Sequence, residues 1–288
     1  MLTADTRRAA VLGSPIDHSL SPTLHEAAYR ALGLSDWVYG IHEVRASELG
    51  GFVSRLGPEW AGLSLTMPLK EVAFEVADEV SGLAREVGAI NTLVRRPDGG
   101  WNGDNTDVYG VSQALREAGV GHVASALVLG SGATARSVVA GLAALGCPKV
   151  TFAVRSEARF ETLEQARRAG LEVEVVGLRE LASRVGDSQL VISTLPENAL
   201  SENALSASAL VDLLLPKGLR MPDHLLLDVV YAGWPSPLAR TFADAGARVV
   251  SGFEMLVHQA AEQVHLMTGL LAPVEQMRAA GLAAMRSR

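Results

Sequence analysis

A series of short runs in the second half of the chain is apolar at nearly every position: Ala126 to Leu129, Val150 to Val154, Val173 to Val176, Leu190 to Ser193 and Leu225 to Val230. Strands read in this continuous way when helices cover both faces of their sheet, and helical patterns separate these runs. The second half is therefore expected to form a doubly wound, Rossmann-like parallel sheet. The first half differs. Its runs, Ala9 to Gly13, Trp37 to Val44 and Leu63 to Met67, carry more polar alternation, and helices are expected over Pro22 to Leu32 and around Ser47 to Leu56. That rhythm predicts a separate α/β domain with a mixed sheet. A turn at Pro97-Asp-Gly-Gly and a helix from Asp107 to Ala118 suggest domains of 1–106 and 107–252. Helices over Phe253 to Thr268 and Pro273 to Met285 would return 253–288 to the first domain. Leu200 to Leu215, rich in Ser, Ala and Leu, allows no structural assignment.

With 288 residues, a chain can bury about 75% of its unfolded surface, and two modest cores are the natural outcome. Lys and Arg number 25 against 32 Asp and Glu, a net charge of -7 with no basic block, which argues against nucleic acid as a partner. Cys147 is the only cysteine, so an internal disulfide and a multi-cysteine zinc site are both excluded. The N-terminal apolar stretch is too short for an export signal, and the region from Ala126 to Gly146 is too interrupted by polar residues and glycines to span a membrane. A cytoplasmic protein, monomeric or homodimeric, with no membrane partner is expected. The seven histidines show no HExxH spacing, and no metal site is expected. His258 is assigned to a helix surface.

The run ending at Leu129 leads into Gly130-Ser131-Gly132-Ala133-Thr134 and then an apolar helix. Strand, glycine turn and helix in that order form the phosphate-binding arrangement of dinucleotide sites. Gly130 permits the turn, Gly132 lets backbone N–H groups approach a pyrophosphate, and the helix N-terminus favours negative charge. Glycine turns also occur in folds that bind nothing, so the end of the next strand decides between the two. An NAD site would place an acidic residue there for the ribose 2′-hydroxyl; this chain has Val154 followed by Arg155, Ser156 and Arg159. A guanidinium fork and a hydroxyl suit a 2′-phosphate, which favours NADP as cofactor.

Polar clusters in the first half stand at the ends of expected strands, where open α/β sheets build ligand sites. Ser19 and Ser21, two residues apart, form a pair of hydroxyl donors suited to a carboxylate; alternatively Ser21 caps the helix that starts at Pro22. Lys70 follows Pro68 at an expected helix start, where the helix dipole is unfavourable to a cation and a functional reason is worth seeking. Partly desolvated, such a lysine could exchange a proton with a reacting hydroxyl. Asp107 begins the next long helix, a position that suits a hydrogen-bond-accepting carboxylate; simple charge compensation of the helix is the competing explanation.

Together and in order, Gly13 to Pro22 (GSPIDHSLSP), Leu65 to Lys70 (LTMPLK), Gly88 to Thr92 (GAINT), Asp104 to Asp107 (DNTD), Asp228 to Tyr231 (DVVY) and Gly252 to Gln259 (GFEMLVHQ) resemble the shikimate dehydrogenase family along almost the whole chain. The resemblance implies reversible reduction of 3-dehydroshikimate to shikimate by NADPH, with Lys70 and Asp107 as catalytic positions. It implies that Ser19, Ser21 and Tyr231 hold the substrate carboxylate, and that Thr66, Lys70, Asn91, Asp107 and Gln259 receive the ring hydroxyls and the reacting oxygen. It also implies that Gly252 and Met255 lie near the nicotinamide and that Arg155, Ser156 and Arg159 select NADP. The chain departs from the family at Ala133, usually a third glycine, and at Val154, commonly Asn. The rival within the family is a quinate/shikimate dehydrogenase; the rival from another class is a non-catalytic NADP(H)-binding sensor, whose signature would be loss of Lys70 or Asp107.

Overall fold

A computed structural model describes residues 6–180, 184–195 and 220–287. The Ser/Ala/Leu stretch from Leu200 to Leu215 lies outside the described residues. The chain forms two compact units, Met1–Gly110 with Val257–Arg288, and Val111–Leu256. Among the described residues no helix is long and apolar enough to cross a membrane.

The first unit is built on a six-stranded mixed sheet of β1 (Arg7–Gly13), β2 (Trp37–Glu43), β3 (Trp60–Leu65), β4 (Glu79–Val80), β5 (Thr92–Arg95) and β6 (Trp101–Asp104), in the order β2-β1-β3-β5-β6-β4. β1 pairs parallel with β2 and β3, whereas β5 runs antiparallel to both of its neighbours, β3 and β6. The hairpin between β5 and β6 closes at the Pro97-Asp-Gly-Gly turn, where the Arg96 carbonyl accepts from the Gly99 N–H and the Arg96 N–H donates to the Gly100 carbonyl. Successive strand residues face opposite ways. Ala10, Leu12, Leu63, Leu65, Leu93 and Trp101 therefore share one apolar core, while Tyr39, Ser64 and Thr92 fall on the other face by register. The helices of this unit are α1 (Ser21–Ala31), α2 (Leu49–Val53), α3 (Leu69–Val72), α4 (Gly82–Val87), the start of α5 (Asp107–Glu117), the greater part of α9 (Gly252–Thr268) and α10 (Val274–Arg286), and α10 packs on α1.

Two local expectations differ. The helix expected around Ser47 to Leu56 is a 3-10 turn over Ala46–Glu48 followed by the short α2, because adjacent Gly50 and Gly51 weaken it. Helix α1 starts at Ser21 itself, with Leu20 in the cap position and no side-chain cap. Ser21 is thus not the cap; Ser19 Oγ accepts from the Ser21 N–H at 3.2 Å.

The second unit contains an all-parallel sheet of β7 (Ala126–Leu129), β8 (Lys149–Val154), β9 (Glu172–Gly177), β10 (Leu190–Ser193), β11 (Leu225–Asp228) and β12 (Arg248–Ser251), ordered β12-β11-β10-β7-β8-β9. Its helices include α6 (Ala133–Ala144), α7 (Phe160–Arg168) and α8 (Pro237–Asp244). Alternate residues of the same strands enter two different cores. Val128, Phe152, Ile192 and Leu227 lie in one; Leu127, Leu129, Ala153, Val191 and Leu226 lie in the other. Burial on both faces is the physical reason that these strands read as continuous apolar runs. The chain leaves β7 toward β8 and β9, then returns to place β10 on the opposite side of β7, so the direction of winding reverses beside the strand that carries the glycine turn.

Candidate active site

Three segments of the first unit are stitched together by main-chain hydrogen bonds. Ile90 N donates to Lys70 O at 2.8 Å, Leu65 N to Asn91 O at 2.7 Å, and Asn91 N to Asp104 O at 3.0 Å. The side chain of Asn105 adds a bond to Ala89 O at 2.9 Å and accepts from the N–H groups of Asp107 and Val108, which caps α5. Lys70 near the start of α3, Asn91 before β5 and Asp107 at the first residue of α5 are brought together by these bonds.

Lys70 Nζ donates to Asp107 Oδ2 at 2.6 Å, with side-chain exposures of 16% and 7%. Asn91 Nδ2 donates to Asp107 Oδ1 at 2.8 Å and reaches Thr106 Oγ1 at 3.0 Å and Gln259 Oε1 at 3.4 Å. Asn91 Oδ1 receives the Thr106 N–H at 2.8 Å. Both oxygens of the Asp107 carboxylate are thus held by donors, and the partly exposed ammonium of Lys70 has N–H groups to spare for a second acceptor. Among the expected substrate residues, Asn91, Asp107 and Gln259 are buried, whereas Ser19, Thr66 and Lys70 are half-buried. Ser21 is buried at the start of α1. Tyr231, half-buried, follows β11 in the second unit.

In the second unit Gly130 has φ 94, a left-handed conformation that a side chain rarely adopts, and it turns the chain from β7 into α6. Gly132 occupies the cap position of α6 with no side-chain cap, which leaves the first helical N–H groups without a protein carboxylate or hydroxyl in that role. Ala133 is the first residue of α6. A Cβ is compatible with helical backbone, so the departure from a third glycine leaves the turn intact.

The next strand end is tied to this loop. Arg159 N donates to Ser131 Oγ at 3.1 Å, and Thr162 Oγ1 donates to Ser131 O at 2.7 Å. Arg155, Ser156 and Arg159 are exposed beyond buried Val154. Two arginines, a hydroxyl and a bare helix N-terminus beyond the carboxyl ends of β7 and β8 form a donor set that fits a dinucleotide bearing a 2′-phosphate.

Gly252 and Met255 open α9. A Cβ on Gly252 would fall on the Val229 carbonyl, so the close approach of the α9 start to the segment after β11 requires glycine there. Met255 is buried in the core with Val128 and Ile192. The expectation for His258 is corrected. It is 5% exposed, because α9 is buried nearly all the way round.

Asp228, at the end of β11, is buried, which pushes its carboxyl above the ordinary range; the Ser236 hydroxyl, 2.6 Å from Oδ2, opposes that rise. Ser64, Thr92 and Thr106 belong to the polar clusters but carry no expected role, and Gln263 lies outside them; together they form the buried polar surroundings of Asn91. The one signal available was Gln259 and Gln263 four residues apart, which places two amides on the same face of a mainly apolar helix.

Family models described as "Shikimate dehydrogenase substrate binding domain", "Shikimate / quinate 5-dehydrogenase" and "Shikimate 5'-dehydrogenase C-terminal domain" match residues 11–93, 112–219 and 252–280. A shikimate dehydrogenase (NADP(+)) of Synechococcus sp. (strain JA-2-3B'a(2-13)) is 34% identical over 97% of this chain and 96% of its own. The crystal structure of Mycobacterium tuberculosis shikimate dehydrogenase is 43% identical with a TM-score of 0.84, covering 96% of this chain and 99% of that one. Shikimate 5-dehydrogenase from Thermus thermophilus, solved in complex with NADP(H) and shikimate, is 31% identical with a TM-score of 0.80, covering 97% and 100%. Matches that run the length of both units, on a chain that keeps the ion-paired lysine and aspartate, leave one conclusion: this protein belongs to the shikimate dehydrogenase family.

Proposed function

We propose that the chain is an NADP-dependent shikimate dehydrogenase that reversibly reduces 3-dehydroshikimate to shikimate, a step toward chorismate and the aromatic amino acids. The observation that carries the reading is the contact of 2.6 Å between Lys70 Nζ and Asp107 Oδ2, part-buried, with the Asn91 amide on the other carboxylate oxygen. The nicotinamide cofactor, when bound, supplies or takes up the hydride at the ring carbon that bears the reacting oxygen.

The remaining work falls to the chain itself. Lys70 donates to the reacting oxygen and stabilises the negative charge that grows there, then gives or recovers the proton. Asp107 accepts from Lys70 and from Asn91, which fixes the direction of the ammonium and leaves the carboxylate able to bind a neighbouring hydroxyl. Asn91, Gln259 and Thr66 serve the other ring hydroxyls. Ser19 and Ser21, joined by Tyr231, receive the substrate carboxylate.

In the second unit the Gly130 to Thr134 turn receives the pyrophosphate, and Arg155, Ser156 and Arg159 receive the 2′-phosphate. Gly252 and Met255 stand toward the nicotinamide. Residues 1–106 with 253–288 thus take the ring acid and 107–252 the cofactor. The enzyme works in the cytoplasm, as a monomer or homodimer, on small molecules rather than on nucleic acid or membranes.

NADPH absorbance followed with shikimate plus NADP tests this. Turnover with that pair well above turnover with quinate or with NAD is the expected result. Faster oxidation of quinate would make the chain a quinate/shikimate dehydrogenase, and NADPH binding without turnover of either ring acid would make it a sensor.

A further inference from the structure

A buried line of hydrogen bonds runs from strand β2 to the Asp107 carboxylate, and its midpoint is Gln263 on α9. Gln263, 1% exposed, has four partners. Its Oε1 lies 2.8 Å from Ser64 Oγ and 3.3 Å from His25 Nε2. Its Nε2 lies 3.0 Å from Thr92 Oγ1 and 3.3 Å from the Asn91 carbonyl. Outward from there, the Tyr39 hydroxyl donates to Ser64 Oγ at 2.6 Å, and the Tyr39 ring stacks on His25 at 3.9 Å. Inward, Thr92 Oγ1 donates to Asn91 Oδ1 at 2.8 Å, and Asn91 Nδ2 meets Asp107 Oδ1.

The direction of each proton along this line follows from its two ends. The carboxylate only accepts, so Asn91 turns its NH₂ toward Asp107 and its oxygen toward the Thr106 N–H, which only donates. Thr92, donating to that same oxygen, must receive its own bond from the Gln263 NH₂. Gln263 then presents its oxygen to Ser64, which donates to it and accepts from Tyr39. His25 must carry its proton on Nε2. Its Nδ1 is left as a bare buried acceptor, and that atom has no hydrogen-bond partner among the described residues. His25 is fully buried, and desolvation holds it neutral down to about 3.

We propose that Gln263 is a positioning residue for the catalytic pair: by donating to Thr92 and to the Asn91 main chain, it directs the Thr92 proton onto the Asn91 amide and so helps hold an N–H donor against Asp107. The proposal rests on Lys70 and Asp107 being that pair. An apolar side chain of similar size would fill the same space, as Met267 does one turn further along α9. Only a group with a donor on one arm and an acceptor on the other satisfies Thr92 and Ser64 at once. A buried amide left half-satisfied would destabilise the unit rather than support it.

The titratable groups around Gln263 are His25 from α1 and Tyr39 from β2, with Asp107 and Lys70 beyond Asn91. None of these reproduces the signature of Gln263→Glu. The introduced carboxyl, while protonated, keeps a donor for Thr92 and an acceptor for Ser64 and gives up only the longer bond to the Asn91 carbonyl, whereas once ionised it only accepts. The kcat of Gln263→Glu, divided by that of the parent at each pH, is therefore expected near one at low pH. It should fall about tenfold as the introduced carboxyl ionises, with KM for shikimate little changed. Gln263→Met is expected to show a similar loss at every pH.

Ratios that stay at one across the pH range, in a protein that Lys70→Ala inactivates, would overturn the role of Gln263 alone. Full activity of Lys70→Ala would instead remove the catalytic pair on which the role depends. The parent protein offers a readout independent of any variant's folding: ¹⁵N chemical shifts should identify His25 as the Nε2–H tautomer. An Nδ1–H tautomer would reverse the Gln263 amide and overturn the proposal.

Discussion

The two six-stranded sheets deal with polar groups in different ways. In the first unit one sheet face carries Tyr39, Ser64 and Thr92, and their hydrogen bonds run without a break to Asn91 and Asp107. In the second unit both faces of the central strands are apolar. The polar groups there gather at the carboxyl ends: Ser131 and Thr162 hold the loops to each other, while Arg155, Ser156 and Arg159 stand toward solvent. A mixed sheet with one polar face gives Asp107 and Asn91 a desolvated seat. A parallel sheet buried on both faces leaves its chemistry to loops. Turnover should therefore be most sensitive in the first unit and cofactor affinity in the second.

The sharpest break in that contrast would come from Lys70→Ala. Loss of a proton-transferring group typically costs about 10² to 10⁴ in turnover, and the variant should still bind shikimate because other groups hold the ring. Steady-state kinetics with isothermal titration of shikimate separates the two quantities. A variant that turned over at the parent rate would end the catalytic role of the pair.

Arg155→Ala should act on the other side of the comparison. Charge-assisted hydrogen bonds contribute about 1.5 to 3 kcal/mol, so KM for NADPH should rise roughly 10- to 100-fold while that for NADH barely moves. The 2′-phosphate is the only difference between the two cofactors. Equal losses for both would assign Arg155 to the pyrophosphate or to the fold.

How much of this was legible in the sequence also differs between the units. The second was readable as a fold because double burial writes itself as unbroken apolar runs, and Gly130 announced its own turn. In the first, the side chains that meet were readable: Lys70, Asn91 and Asp107 stood in short polar clusters at strand ends. Its hydrogen-bond network was not readable, because Ser64, Thr92 and Gln263 are distant in sequence and become neighbours only through strand register and the return of α9. His258 was misplaced for a related reason. A polar residue in a helix suggests solvent unless the helix is known to be buried all round.

Acid stability sharpens the comparison further, because burial shifts His25 in the first unit and the carboxyl of Asp228 in the second against ionisation. His25 has its folded value lowered to about 3 from 6.5. An unfolded chain takes up that proton below 6.5 and the folded one refuses it, so the contribution of a neutral His25 is complete above 6.5 and is lost as pH falls toward 3. Between pH 6.5 and 5 the loss is about 2 kcal/mol. Asp228 runs the other way: its raised folded value means stability present below 3.8 and lost as pH rises through the folded value. Urea midpoints across a range from about pH 7 to about pH 5 should fall in the parent and fall less steeply in His25→Gln. Parallel slopes would show that His25 is protonated in the folded state.

The smallest effect is expected where the second unit imitates the first, at Thr162. This side chain is fully buried and donates to Ser131 O, which sets the position of the glycine turn relative to the Arg159 backbone. Thr162→Val keeps the shape and removes one hydrogen bond, for a cost of about 1 kcal/mol. Because the bond locates the loop rather than the 2′-phosphate site, KM should rise about fivefold for NADPH and NADH alike, kcat should stay, and Thr162→Ser should restore the parent value. A loss confined to NADPH would mean that Thr162 acts through Arg159 on the 2′-phosphate. A loss in kcat would mean that the second unit, too, has a buried hydrogen-bond frame on which the chemical step depends, and the division between a seated catalytic site and a loop-built cofactor site would no longer hold.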